Sequence, residues 1–151
     1  MLRDKPVDPE ALAATLAQLD VPFLRTQAAT KPLRLEPAGL VAALAQHPLP
    51  RVRVALIPLF LRHPEFAKHV EKLVSILSPP AEMTLCHFYT AAVYLQRLWQ
   101  GQLELYLGVF PLLPDYFGQS HWNLPPPTVH YGEAGLLRLL TSSRRTQVII
   151  G

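Results

Sequence analysis

A single cysteine, Cys86, stands in the 151 residues, so no internal disulfide can staple the chain and its stability has to come from packing. The start lacks a basic segment leading into an apolar h-region; with nothing directing export, the expected compartment is the cytoplasm. No apolar run reaches the roughly 20 residues of a membrane span. The most apolar stretch, Leu85 to Trp99, is interrupted by His87, Gln96 and Arg97, reads as a core helix and gives no reason to expect a membrane partner. The seven glycines are dispersed, which excludes the glycine-rich loop that cradles a phosphate. Charge is scarce too, at 17% of residues against 50% apolar, so much apolar surface has to be hidden, some of it against a partner.

What the chain has in abundance is proline, sixteen in all, placed mostly where helices should begin or end. Asp8-Pro9-Glu10 reads as an N-cap, a first-turn proline and a first-turn acid, and Leu12, Leu16 and Leu19 follow at helical spacing, predicting a helix over about 9–19. Residues 20–36 form a connector, with a short extended piece at Leu33 to Leu35. Pro37 opens a second helix with an apolar stripe at Leu40, Val41 and Leu44 and small Ala42, Ala43 and Ala45 beside it; it stops before Pro48.

From Arg51, the residues Val52, Ala55, Leu56, Leu59 and Phe60 keep helical spacing while Val54, Ile57 and Leu61 cover the other side, so this helix should be central. Pro58 cannot donate to the carbonyl of Val54, which predicts a kink there. His63-Pro64 ends it. Phe66, Val70, Leu73, Val74 and Leu77 define a further amphipathic helix with Lys68, Glu71, Lys72 and Ser75 outside. Ser78-Pro79 starts the next, a long helix or helix pair over about 79–109, which either runs past Gly101 or breaks there; a strand at Leu103, Leu105 and Leu107 is the rival reading for its end. A proline-rich aromatic loop, 111–130, is expected to lie over the core, followed by a helix over about 132–141 and a β-prone end at Val148-Ile149-Ile150. The length suits one domain over 1–151, all-α and compact, built of stacked antiparallel helix pairs.

His47-Pro48-Leu49-Pro50-Arg51-Val52-Arg53-Val54-Ala55 places a proline turn between two apolar helical segments and opens the second with Val-Arg-x-Ala. The stretch Leu40 to Leu61 resembles a HEAT or armadillo-type repeat, within a unit over about 37–77. The resemblance implies a stacking, surface-building fold, with Arg53 matching the repeat arginine that pairs with polar groups of adjoining repeats. His47 stands where that family usually has an acidic residue, and no second Val-Arg-x-Ala follows at the repeat period.

The surplus of positive charge lies entirely in one segment: residues 47–72 hold five basic and two acidic side chains, whereas 1–46 hold five and five and 73–151 hold four and four. Arg51, Arg53, Arg62, Lys68 and Lys72, with His47, His63 and His69, are candidates for contact with phosphates along one edge of stacked helices. A solvated helical face is the competing explanation. Arg62 and His69 are also spaced like the Arg-x4-6-His element of HEPN-type helical ribonucleases, which would make the chain an RNA-cleaving or toxin–antitoxin component, although Pro64 lies between them. Glu65 with His69 falls on one helix face, and His121 and His130 sit in the proline-rich loop, but no motif gathers three metal ligands. Cys86 and His87 point about 100° apart on a helix, so they do not form a nucleophile and base.

The sequence therefore supports no catalytic residue, metal or cofactor. The leading expectation is a protein-interaction or scaffold module, whose partner is another protein or a second copy of the chain. Its anchors are sought in the apolar, aromatic loop 109–124, at Tyr116, Phe117 and Trp122. Nucleic-acid binding through 47–72 is the alternative.

Overall fold

The computed structural model describes residues 7–22, 24, 30–128 and 132–150, with side chains as far as Thr141. The described residues are all-α: helices joined by turns and irregular segments, with no strand among them. None of these helices is long and apolar enough to cross a membrane. The chain divides into two compact units, Met1–Leu85 and Cys86–Gly151.

In the first unit, helix α1 spans Pro9–Gln18, with Asp8 Oδ1 accepting from the Glu10 N–H at 3.1 Å and Pro9 in the first turn. Residues Ala11 to Leu16 are all buried, so this is a central helix rather than an amphipathic one. It ends in a Schellman motif: Val21 N–H bonds to the Leu16 carbonyl and Asp20 N–H to that of Ala17, with Asp20 at φ 60° where glycine usually sits. Helix α2 spans Pro37–Gln46 and buries Leu40, Val41, Leu44 and Ala45.

Proline also explains the segmentation that follows. A residue before proline is driven out of the α region. Asp8, Glu36, Leu49 and His63 obey this, with ψ of 121°, 159°, 121° and 72°, and each marks the start of a helical element. Ile57 does not, because it precedes Pro58 inside a helix. The chain answers this conflict upstream: α3 spans Pro50–Arg53 and α4 spans Leu56–Arg62, separated by a turn at Val54 and Ala55 rather than kinked at Pro58. The proline ring cannot tolerate the carbonyl of Val54 in α-helical register. The break turns that carbonyl to the Ile57 N–H at 3.1 Å, and Pro58 falls in the first turn of α4, where a missing N–H costs nothing.

The helix expected over 66–77 is divided as well. Pro64–His69 is a 3-10 helix, and α5 spans Val70–Ile76. Phe66, Val70 and Leu73 of the expected apolar stripe are buried, with Ala67 beside them, whereas Val74 and Leu77 are half-buried, and the winding differs. Helix α2 packs against α3, α4, the 3-10 helix and α5.

Helix α6, Pro79–Leu98, begins in the first unit and supplies the centre of the second, where Tyr89 to Tyr94 are six consecutive buried residues. A break at Trp99, φ −107°, separates it from α7, Gln100–Leu107, which runs through Gly101 and settles 102–107 as helix rather than strand. Gly108 ends α7 at φ +74°, a conformation that other residues rarely adopt. An irregular strap, 108–117, leads to α8, Gly118–Trp122, whose N–H groups are capped by Asp115 Oδ1 at 2.7 Å to Gly118 and Oδ2 at 3.2 Å to Gln119. Asn123, at φ 51°, closes it. Helix α9, Gly132–Ile150, packs against α8 and takes in the β-prone 148–150, which extends the expected 132–141 helix.

Candidate functional site

The basic residues of 47–72 do different jobs. Arg53 is half-buried, and its Nη1 donates to the carbonyls of His47 at 2.8 Å and Pro48 at 3.0 Å, fixing the turn within its own helix pair. That turn is further held by the buried His47 ring: Nε2 bonds the Val7 carbonyl at 2.8 Å while Nδ1 accepts the Leu49 N–H at 3.1 Å. Arg62 pairs with Asp20 at 3.4 Å, beside the end of α1. Arg51, Lys68 and Lys72 are exposed. Arg62 closes α4, whereas His69 closes the 3-10 helix beyond the break at His63, so the two do not share the single helix that a ribonuclease pair would require.

His63 is used structurally too. Its Nε2 donates to the Leu19 carbonyl at 2.5 Å, satisfying an orphan acceptor at the C-terminus of α1, and Nδ1 meets Glu65 Oε2 at 3.0 Å. Burial pushes the Glu65 carboxyl up, but its backbone hydrogen bond, the bond to His63 and the charges of His63 and Arg62 together outweigh this and leave it below its ordinary value. No group of three or more His, Cys, Asp or Glu among the described residues could hold a metal ion; His130 lies outside the described residues. Cys86 is buried, and the Nε2 of its neighbour His87 donates to the Leu139 carbonyl at 3.2 Å.

In the second unit, the polar residues of α6 hold the proline-rich segments on either side of α8. Prolines supply carbonyls but no N–H, so the helix supplies the donors. Tyr89 Oη donates to the Pro114 carbonyl at 2.6 Å, Tyr94 Oη to Pro125 at 2.6 Å, Gln96 Nε2 to Pro111 at 3.2 Å and Arg97 Nη2 to Leu113 at 2.6 Å. Gln96 Oε1 accepts the Leu113 N–H at 2.7 Å and an Arg97 N–H at 2.6 Å. Burial, then the nearby Asp115 carboxylate, raises the Tyr94 phenol well above its ordinary value, and burial lowers the Arg97 guanidinium.

Aromatic rings complete the attachment. Tyr116 stacks on Tyr89 with centroids 5.4 Å apart, Phe117 meets Tyr89 edge-on, and Trp122 meets the His87 ring edge-on at 5.8 Å. Phe117 is buried, while Tyr116 and Trp122 are half-buried. These three fasten α8 and the strap to α6, and little of them is left to reach a partner.

The exposed apolar surface lies slightly upstream, where the sequence pointed less clearly. Of the large apolar side chains exposed among the described residues, five fall between Trp99 and Leu112: Trp99, Leu105, Tyr106, Val109 and Leu112. Leu105 and Tyr106 are 85% and 87% exposed and Val109 is 95% exposed, and α7 buries no residue at all. A sequence signal was present in the single charge, Glu104, of residues 99–112. Leucine and tyrosine at helical spacing look like core residues in a sequence, and only the tertiary structure shows them exposed.

No protein-family model matches this chain, nor does any curated protein or solved structure. The geometry above therefore carries the functional reading by itself.

Proposed function

We propose that this protein is a non-catalytic interaction or scaffold module, HEAT-like in its first unit and working in the cytoplasm, that binds another polypeptide through the segment Trp99–Leu112. The observation that carries this reading is the exposure of Leu105, Tyr106 and Val109 on and beside a helix that buries none of its residues. Contiguous apolar surface beyond a few hundred Å² is uncommon on a protein that works alone and marks contact sites. Tyrosine and tryptophan are also the residues that anchor interfaces. The HEAT-like part of the proposal is supported by the α2, proline turn and α3–α4 arrangement, with Arg53 bracing the turn. The cytoplasmic part is supported by the single, buried cysteine.

A photo-crosslinking side chain placed at Tyr106, and separately at Lys72, tests this in the cell of origin. The expected result is a discrete polypeptide adduct at position 106 and none at position 72. No polypeptide adduct at 106, or a nucleic-acid adduct at 72, overturns it.

A further inference from the structure

Which polypeptide the segment Trp99–Leu112 takes can be argued from its chemistry and its size, given the reading that this segment is the contact surface. We infer that its occupant is a second copy of this chain, paired about a two-fold axis through α7.

Charge comes first. Residues 99–112 carry one charged side chain, half-buried Glu104, and the nearest basic residue, Arg97, is spent on Gln96 Oε1 and the Leu113 carbonyl. A charged partner would lose water from its own charges here and find nothing to pair with them, a cost that selects against such partners. The occupant must itself offer an uncharged apolar face. A two-fold pair provides one, because each residue then meets the same segment of the other chain, leucine and tyrosine against leucine and tyrosine.

Size comes second. The exposed fractions of Trp99, Leu105, Tyr106, Val109 and Leu112 leave on the order of 700 Å² in water, close to the ~800 Å² per partner of a standard stable interface. Two copies of this face are enough for a dimer, with no further element recruited. Tyr106 supplies a large, rigid ring with a polar tip, suited to the centre of such a contact.

The test is light scattering on the full chain from micromolar to several hundred micromolar, for the wild type and for Leu105→Asp, Tyr106→Asp and Lys72→Glu. Leu105 and Tyr106 are exposed, so their variants keep the helical circular dichroism of the parent. The wild type and Lys72→Glu are expected at twice the 16.9 kDa chain mass, with self-association at least about tenfold weaker in the Leu105 and Tyr106 variants. A wild type that stays at the mass of one chain throughout overturns the second copy, as does a dimer that the two aspartates leave intact. If the wild type is monomeric while the Tyr106 probe captures a different polypeptide, the second copy fails and the contact surface stands. If that probe captures no polypeptide, the surface itself fails.

Discussion

The ring of Tyr94, on α6, lies directly against the backbone of Gly135, on α9, so closely that a methyl group on that glycine would overlap Cδ2 and Cε2 of the ring. Gly118 meets the ring at Cε1, and Gly132 lies against Leu98 and the Tyr94 carbonyl. Three glycines thus line the approach of α8 and α9 to α6, and the phenol they admit reaches the Pro125 carbonyl.

Gly135→Ala should therefore destabilise the protein by about 1–3 kcal/mol, the usual cost of overpacking a fitted contact. Gly101→Ala is the matching control, since a Cβ there meets nothing within 4 Å inside α7. It should stabilise by about 0.5–1 kcal/mol through helix propensity and reduced unfolded-chain entropy. Urea denaturation of both variants measures the two signs; equal shifts in the same direction would contradict the packing described.

His63→Ala removes the donor that satisfies the Leu19 carbonyl at the end of α1 and should cost about 1–3 kcal/mol. Arg62→Ala, next to it, breaks a solvent-exposed ion pair with Asp20 and removes a charge near Glu65, and should cost less than about 1 kcal/mol. Chemical denaturation of the two variants orders them, and a larger loss for Arg62 would refute the assignment.

Gln96→Leu strips the Leu113 N–H and the Pro111 carbonyl of their partner and should cost about 2–3 kcal/mol. Hydrogen exchange should rise across 111–117 before it rises in α6. Protection left unchanged at Leu113 would show that the strap is held some other way.

Burial lowers the His87 imidazole, and its bond to the Leu139 carbonyl offsets this only in part. The unfolded chain then binds the proton more readily than the fold does, so the stability gained from neutral His87 is full at pH 8 and declines as pH falls through 6.5. Glu65 adds a separate, more acidic window: its carboxyl is lowered in the fold, so its contribution is present above 4.5 and lost as pH falls through the depressed value. Melting temperatures recorded from pH 8 to pH 5 should fall for the wild type and flatten for His87→Phe. A wild-type profile that rises toward pH 5 would reverse the sign argued here.

Helix positions were legible because proline and apolar period act locally. Pro9, Pro37, Pro50, Pro64 and Pro79 each open an element, and the residue before each of the first four lies outside the α region, as its neighbour's ring demands. The break near Pro58 was legible in cause and misplaced in position, because the clash is felt at the carbonyl of Val54 and the chain yields there. The β-prone Val148-Ile149-Ile150 ends in helix, since local propensity is weaker than the continuation of a helix begun at Gly132.

The candidate site was less legible, for a physical reason. A leucine's hydrophobicity is the same whether a neighbour covers it or not, so periodicity could not distinguish buried Leu85 from exposed Leu105. By itself the sequence determined an all-helical chain, its punctuation by proline and its lack of a dense charge or ligand motif, all of which follow from interactions between residues a few positions apart. Tertiary structure alone decided that Tyr116, Phe117 and Trp122 pack against rings of α6, that Arg53 and His63 close turns and helix ends, and that Leu105, Tyr106 and Val109 are left facing water. Those outcomes depend on which distant segment arrives to cover a side chain, and no local pattern records that.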